Sequence, residues 1–277
     1  MERIRSAFDR LRRARSTALI PFIMGGDPAL SSTGPLLLAL QDAGADLIEV
    51  GIPFSDPLAD GPVIQAASAR ALENGAAPAR VLAAVASVRH RLHVPVVLLS
   101  YWNPIVQFAC LPKPWRRQGG SGSPAAFMRA ARASGCSGVI VPDVPVEEGE
   151  PLRTAARREE MAAIFLAAPT SPANRLRMIA RASEGFIYYV SVTGTTGARR
   201  ALPPSLVHGV RQVKLLTAKP VCVGFGISTP AQAAAVARIA DGVIIGSALI
   251  RAIDGAGRRT APRRAAAFLR RMRKAIT

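Results

Sequence analysis

Cysteine and aromatic residues are scarce in this sequence, and long apolar runs are missing. The three cysteines, Cys110, Cys136 and Cys222, are far apart and form no CxxC pair, so no disulfide framework is predicted. No apolar run approaches the roughly 20 residues of a membrane-spanning helix, and the charged start at Met1–Arg5 lacks the apolar core of a secretory signal. These absences predict a cytoplasmic protein with reduced thiols and no membrane partner.

Acidic residues are also few, and the formal net charge is +18. Arginine supplies nearly all of the positive charge and crowds the ranges Arg3–Arg15 and Arg258–Lys274. Such a surface attracts anions, acidic proteins and RNA through its long-range field. Aromatic residues do not interleave with the arginines, as stacking on bases would require. We therefore expect a solvated basic face and no nucleic-acid partner, and keep binding of nucleic acid or an acidic partner as the alternative.

Short apolar runs rich in β-branched residues alternate with helical stretches along the chain. Alternation of this kind predicts a parallel sheet covered by helices, and eight units predict an α/β fold, a closed (β/α)8 or TIM barrel. The length of 277 residues suits one such domain spanning 1–277. The eight predicted strands are Ala18–Phe22, Leu47–Val50, Val94–Ser100, Gly138–Pro142, Ala163–Leu166, Phe186–Val190, Val221–Val223 and Gly242–Ile245.

Apolar spacing also predicts the helices. Residues 2–13 place Ile4, Phe8 and Leu11 on one stripe and arginine on the other, which predicts an extra N-terminal helix packed under the barrel. Residues 110–124 are rich in Pro, Gly and Ser and are predicted to form an exposed loop insertion after the third strand. Further helical periods cover residues 34–43, 79–91, 125–134, 172–182, 230–239 and 262–275.

Acidic residues occur where a TIM barrel keeps its reactive groups, at the carboxyl ends of strands and in the loops that follow. Glu49 lies in the second predicted strand, where a charge is costly to bury without a partner or a function. If Glu49 points into the barrel mouth, burial raises its pKa and suits it to proton transfer. A structural ion pair is an equal alternative. Asp56 and Asp60 follow in a stiff loop, where they either orient hydrogen bonds or cap turns and the next helix.

Glycine-rich elements follow the last three predicted strands, at Thr193–Gly197, Gly224–Ser228 and Gly246–Ser247. Gly246–Ser247 would begin a short phosphate-binding helix after the eighth strand, because helix N-termini bind anions and glycine permits close approach. No metal, dinucleotide or nucleophile-elbow motif is present. The spacing alone therefore predicts a cofactor-free lyase or isomerase that acts on a phosphorylated metabolite.

Taken together, six segments resemble the tryptophan synthase α-subunit family over nearly the whole chain. They are Pro21–Pro28, Ile48–Gln65, Val139–Val146, Phe186–Arg199, Val223–Ser228 and Gly246–Ser247. The resemblance implies a carbon–carbon lyase of tryptophan biosynthesis that cleaves indole-3-glycerol phosphate to indole and glyceraldehyde 3-phosphate. It also implies an α2β2 complex in which the β subunit, and not this chain, holds pyridoxal phosphate. A weakened subunit that mainly activates β, and a standalone lyase, are the alternatives.

The resemblance assigns roles to individual residues. Glu49 matches the general acid/base that protonates indole C3 and helps to remove the glycerol hydroxyl proton. Asp60 matches the carboxylate that hydrogen-bonds the indole N–H, and Asp56 matches a position used in signalling to β. The implied substrate-binding residues are Phe22, Tyr188 and Phe225 in the pocket, Thr196 in a lid, and Gly197, Gly224, Gly226, Gly246 and Ser247 around the phosphate.

The sequence departs from the family pattern at three places. Met24 replaces a common threonine that helps to hold Asp60, so the positioning of Asp60 is in question. Thr195 replaces the usual valine of the lid motif. The insertion at residues 110–124 falls in the region that faces β in the family, where it reshapes that interface or bulges past it.

Overall fold

The centre of the molecule is a sheet of parallel strands. The computed structural model describes residues 1–108, 123–190, 202–224 and 226–276. The strand segments within these ranges are β1 (Ala18–Met24), β2 (Ile48–Gly51), β3 (Val96–Leu99), β4 (Cys136–Ile140), β5 (Ala162–Ile164), β6 (Leu166–Ala167), β7 (Ile187–Val190), β8 (Val221–Gly224) and β9 (Gly242–Ile245).

The sheet closes into a barrel. Its strand order is β5-β4-β3-β2-β1-β9-β8-β7-β6, and every neighbouring pair is parallel. The two outermost segments, β5 and β6, are separated along the chain by Phe165 alone, so the two ends of the order meet. This confirms the predicted TIM barrel. The mouth of the barrel is the end at which the strands have their carboxyl termini.

The fifth predicted strand, Ala163–Leu166, is interrupted. Phe165 donates its backbone N–H to the Ser183 hydroxyl oxygen at 3.0 Å, so a side chain from a later segment takes the place of a ladder partner. The prediction of one continuous strand there was wrong because an apolar run does not show which of its amides will find a side-chain acceptor.

Helices cover the outside of the barrel. They are α1 (Glu2–Arg13), α2 (Leu30–Asp42), α3 (Pro62–Glu73), α4 (Pro78–Ala86), α5 (Trp102–Val106), α6 (Pro124–Ala133), α7 (Glu150–Arg158), α8 (Ala173–Ala182), α9 (Pro204–Leu216), α10 (Pro230–Ala237), α11 (Ser247–Ile253) and α12 (Ala261–Ile276), with 3-10 turns at Arg89–Arg91 and Val146–Glu148. In the ranges that the structure describes, no helix is both long and apolar enough to cross a membrane.

The first helix closes the end of the barrel opposite the mouth. Ile4, Phe8 and Leu11 are buried and join the side chains of the barrel interior in one apolar cluster. Arg3 fastens the helix from its polar side, because its Nη2 donates to the carbonyl oxygens of Leu92 at 2.8 Å and Val94 at 3.1 Å. Helix α1 is therefore the predicted N-terminal helix under the barrel, and ligands have access from the mouth.

Candidate active site

Glu49 lies in β2 with its side chain inside the barrel. Its neighbours Ile48 and Val50 pack outward into the layer between sheet and helices, and because side chains alternate along a strand, Glu49 points inward. The residue is 1% exposed, and neither carboxyl oxygen has a hydrogen-bond partner among the described residues. Burial, and secondarily the nearby charge of Asp60, raises the pKa of Glu49 to about 8. No ion pair to Glu49 is found among the described residues, so the structural alternative has no support.

Asp60 lies in the loop of residues 52–61 that joins β2 to α3. Burial raises its pKa to about 6, and a hydrogen bond from the Tyr101 hydroxyl lowers the pKa in part. The two carboxyl groups therefore differ in acidity. Glu49 is mostly protonated near neutral pH, whereas Asp60 is mostly ionised, and such a separation lets two carboxyls take different roles.

Tyr101 is a site residue that the sequence analysis missed. It lies two residues after the end of β3 and is 3% exposed. Its hydroxyl hydrogen-bonds the Asp60 side chain and accepts the backbone N–H of Ala59 at 2.9 Å, while its ring packs against Phe54 at 5.4 Å between centroids. The signal that could have identified Tyr101 was its position near the carboxyl end of a barrel strand. From the sequence, that rule was used only for acidic residues and glycines.

Met24 packs beside the same loop. Its Sδ and Cε atoms lie 3.0 Å from the position that a Cβ on Gly51 would take, and the residue is 2% exposed. A thioether has no hydrogen to donate to Asp60. Met24 therefore donates no hydrogen bond to Asp60, and among the described residues Tyr101 hydrogen-bonds its side chain.

Aromatic side chains and glycines form the described wall of the mouth. Phe22 is paired in register with Glu49 across β1 and β2, and its Cζ lies 2.8 Å from the position of a Cβ on Gly51. Tyr188 in β7 covers Gly224, because a Cβ there would stand 2.4 Å from the tyrosine hydroxyl oxygen. Burial, followed by the charges of Glu49 and Asp60, raises the pKa of Tyr188, so its hydroxyl stays protonated.

The predicted phosphate positions are only partly described. Gly246 precedes α11, and Ser247 is the first residue of that helix, directly after β9, as the sequence analysis expected. Gly226 has a φ of +73° and nothing within 4 Å of its Cβ position, which leaves its backbone open to a ligand. Three predicted residues, Thr196, Gly197 and Phe225, lie outside the described residues, as do Thr195 and most of the insertion at 110–124.

Asp56 and its neighbour Leu58 lie on the outer side of the same loop. Asp56 is exposed, and Leu58 is 91% exposed, the highest value among the exposed large apolar side chains of the described ranges. Asp56 is therefore not brought into the mouth beside Glu49. In the described part of the chain, no group of three or more His, Cys, Asp or Glu side chains could hold a metal ion.

Fold and site together define the class of TIM-barrel enzymes that carry carboxyl groups at the barrel mouth. A family model for the tryptophan synthase alpha chain matches residues 8–277. The chain belongs to the tryptophan synthase alpha chain family, and it is the lyase subunit that cleaves indole-3-glycerol phosphate.

Individual relatives agree with this assignment. The tryptophan synthase alpha chain of Gloeobacter violaceus is 46% identical over 99% of this chain and 94% of its own length. That of Carboxydothermus hydrogenoformans is 47% identical over 92% of this chain and 90% of its own. The crystal structure of tryptophan synthase subunit alpha from Legionella pneumophila superposes with a TM-score of 0.86 at 36% identity, covering 99% of this chain and 98% of that one.

Proposed function

We propose that Glu49 is the general acid/base of the cleavage and that Asp60 is the ionised group that stabilises the positive charge formed on the indole ring. The observation that carries the proposal is the buried carboxyl of Glu49, which has no hydrogen-bond partner among the described residues and whose pKa of about 8 keeps a transferable proton at neutral pH. Asp60, with a pKa of about 6, stays mostly ionised beside it.

In the proposed sequence, Glu49 first gives its proton to C3 of the indole ring. The ring nitrogen becomes cationic, and Asp60 stabilises it by accepting a hydrogen bond from the indole N–H. The glycerol hydroxyl next to C3 then loses its proton to Glu49, and the bond between C3 and that carbon breaks. Its electron pair restores the aromatic ring, the hydroxyl carbon becomes the aldehyde of glyceraldehyde 3-phosphate, and Glu49 is protonated again.

Substrate binding is assigned to the walls of the mouth. The aromatic side chains of Phe22, Tyr188 and Phe225 would contact the indole ring. The backbone amides around Gly197, Gly224, Gly226, Gly246 and Ser247 would hold the phosphate, since glycine lets an anion approach the main chain. Thr196 would meet Asp60 when a lid closes over the substrate and excludes water.

The experiment is a comparison of wild type and Glu49→Gln in an assay for indole release from indole-3-glycerol phosphate. Glutamine keeps the shape of the side chain but has no proton to give, so we expect turnover to fall by about 100-fold or more with the fold retained, as followed by circular dichroism and thermal unfolding. Asp56→Asn, assayed without the β subunit, is the control, because it changes an exposed carboxyl in the loop after β2.

Near-normal turnover in folded Glu49→Gln would show that the acid/base assignment is wrong. Loss of turnover in Asp56→Asn as well would show that the assay responds to the loop in general. Wild-type protein that releases no indole, with or without a β subunit, would overturn the proposed activity itself.

We also propose that residues 1–277 form a single domain and that the chain is the α subunit of a cytoplasmic α2β2 complex. Membership of the family supports a β-subunit partner. The exposed Leu58 and Asp56 beside the mouth are the described residues assigned to that contact. Pyridoxal phosphate is assigned to the β subunit, and no residue of this chain is proposed to hold it. Nucleic acid is not proposed as a partner.

A further inference from the structure

Arg70 of α3 makes a two-pronged contact with Asp27 in the turn after β1. Its Nε and Nη2 donate to the two carboxyl oxygens of Asp27, each at 2.9 Å, and Asp27 is 2% exposed. Paired, charge-assisted hydrogen bonds of this geometry fix direction as well as distance. Asn74, at the end of the same helix, donates to the carbonyl oxygen of Pro28 at 2.9 Å. Helix α3 is thereby anchored to the turn after β1.

Arg70 has a third contact, with the helix assigned to phosphate binding. Its Nη1 lies 3.6 Å from a carboxyl oxygen of Asp254, the residue that follows α11. Near the other end of α3, Cδ1 of Ile64 lies 3.7 Å from the position of a Cβ on Gly246, the residue that precedes α11. Helix α3 therefore contacts both ends of α11.

The amino-terminal end of α3 leads directly into the catalytic loop. Pro62, the first residue of the helix, is two positions after Asp60, and Gln65 donates from Nε2 to the carbonyl oxygen of Asp60 at 2.9 Å. A rotation or shift of α3 would therefore move Asp60 and the start of α11 in the same step. A displacement of about 1 Å in such positions costs on the order of 100-fold in rate.

We propose that Arg70 is a positioning residue that holds Asp60 and the phosphate helix α11 at a fixed separation. It acts through α3 and does not touch the substrate. The inference rests on the proposed function, because it takes Asp60 and Gly246–Ser247 as the groups that meet the two ends of the substrate.

The test uses the full-length protein, three single variants and the double variant Arg70→Met/Asp254→Asn. Arg70→Met removes all three contacts, Arg70→Lys keeps the charge but cannot span both oxygens of Asp27, and Asp254→Asn removes the negative charge that pairs with Arg70 at the end of α11. Steady-state cleavage gives kcat and KM, and calorimetry gives Kd for glycerol 3-phosphate and for indole as separate probes of the two ends. Arg129→Met is the control, since it removes an exposed ion pair with Glu159 on the outer helices.

We expect Arg70→Met to lose about 10- to 100-fold in kcat/KM and to bind glycerol 3-phosphate about five- to tenfold more weakly. Arg70→Lys should give a smaller loss of kcat/KM and of affinity for glycerol 3-phosphate. Asp254→Asn should weaken the binding of glycerol 3-phosphate and leave the affinity for indole nearly unchanged. The same substitution should have little further effect in an Arg70→Met background, because the two side chains share one contact. Arg129→Met should match wild type.

Folded Arg70 variants whose melting temperature falls while kcat, KM and both Kd values stay within twofold of wild type would overturn the inference and leave Arg70 a stabilising residue only. If Arg70→Met does not fold, Arg70→Lys and Asp254→Asn decide by the same criterion. Failure of wild type to cleave the substrate would instead overturn the proposed function, so the two failures are distinguishable.

Discussion

The carboxyl group of Glu49 lies in an apolar interior that favours its neutral form. Its pKa rises from 4.5 to about 8, so the folded protein binds the proton more tightly than the unfolded chain does. The resulting stabilisation is fully present below about pH 4.5 and is lost as the pH rises through about 8. A tenfold change in acidity corresponds to about 1.4 kcal/mol, so ionising Glu49 destabilises the fold by about 3 to 5 kcal/mol.

Glu49→Gln should remove this pH dependence. We expect the free energy of unfolding of wild type to fall between about pH 5 and pH 9, and that of the variant to stay nearly level above about pH 7, where Asp60 is mostly ionised. Urea titrations at a series of pH values measure both curves. Parallel curves for the two proteins would show that Glu49 does not carry the buried proton.

Tyr101→Phe tests how Asp60 is held. Without the hydroxyl, the pKa of Asp60 should rise further, because the hydrogen bond from Tyr101 lowers it. The acid limb of the pH profile of kcat/KM should then move to higher pH. Loss of a hydrogen bond to a charged group should also lower kcat/KM by about 10-fold. The profile is measured by indole release across the pH range.

Tyr189→Phe is the matched control for that variant. Its hydroxyl is buried and has no hydrogen-bond partner among the described residues, and the side chain belongs to the layer outside the barrel. We expect the acid limb of the kcat/KM profile of Tyr189→Phe to match that of wild type. A shift of equal size in both variants would mean that the effect comes from repacking and not from the contact with Asp60.

At the level of single elements, the end of β8 depends on the lack of a side chain at Gly224. A Cβ there would stand 2.4 Å from the hydroxyl oxygen of Tyr188 and 2.7 Å from its Cε1. Gly224→Ala should push the tyrosine into the pocket, raise KM for the substrate by about 10-fold and destabilise the protein by about 1 to 3 kcal/mol.

Gly257→Ala provides the comparison, because the nearest atom to its Cβ position is Thr260 Oγ1 at 3.9 Å. It should leave KM unchanged and alter stability by less than about 0.5 kcal/mol. Steady-state kinetics and thermal unfolding of both variants measure these effects. A normal KM in Gly224→Ala would show that Tyr188 is not part of the substrate pocket.

The helices differ in how well their sequences predict them. The apolar stripe of Ile4, Phe8 and Leu11 predicts α1, because one face packs on the barrel and the other is solvated. Helices α3, α5, α7 and α9 were missed. Helix α3 begins with Pro62 and has alanine on several faces, so its apolar period is weak. Helix α9 contains Gly209, which the ring of Tyr189 covers, and that contact exists only in the folded barrel.

For the molecule as a whole, the proposed association with β concerns the apolar side chains exposed on the barrel surface. Leu58 is 91% exposed beside the mouth, and Leu215 is 79% exposed at the end of α9. We expect Leu58→Asp to weaken association with the β subunit by about 10-fold or more, because it puts a charge into an apolar contact. Leu215→Asp should not weaken this association, because Leu215 lies at the carboxyl end of α9, which leads to the end of the barrel opposite the mouth.

Titration of purified β subunit with each variant, followed by the rise in indole release, measures the association. Equal affinity for wild type and Leu58→Asp would place the β contact elsewhere. The cleavage rate of each variant alone should stay at the wild-type level, because neither leucine is assigned to the mouth.

The order of apolar runs was enough to predict the closed barrel and the N-terminal helix under it, and the resemblance of six local segments was enough to predict the family, since both are encoded in neighbouring residues. An acidic residue within an apolar strand and another in the loop after it pointed to Glu49 and Asp60, and the resemblance assigned their roles. The contacts of Tyr101 with Asp60, of Arg70 with Asp27 and Asp254, and of Phe165 with Ser183 emerged only in three dimensions. Each joins separate segments of the chain, which come into contact only after the sheet has closed.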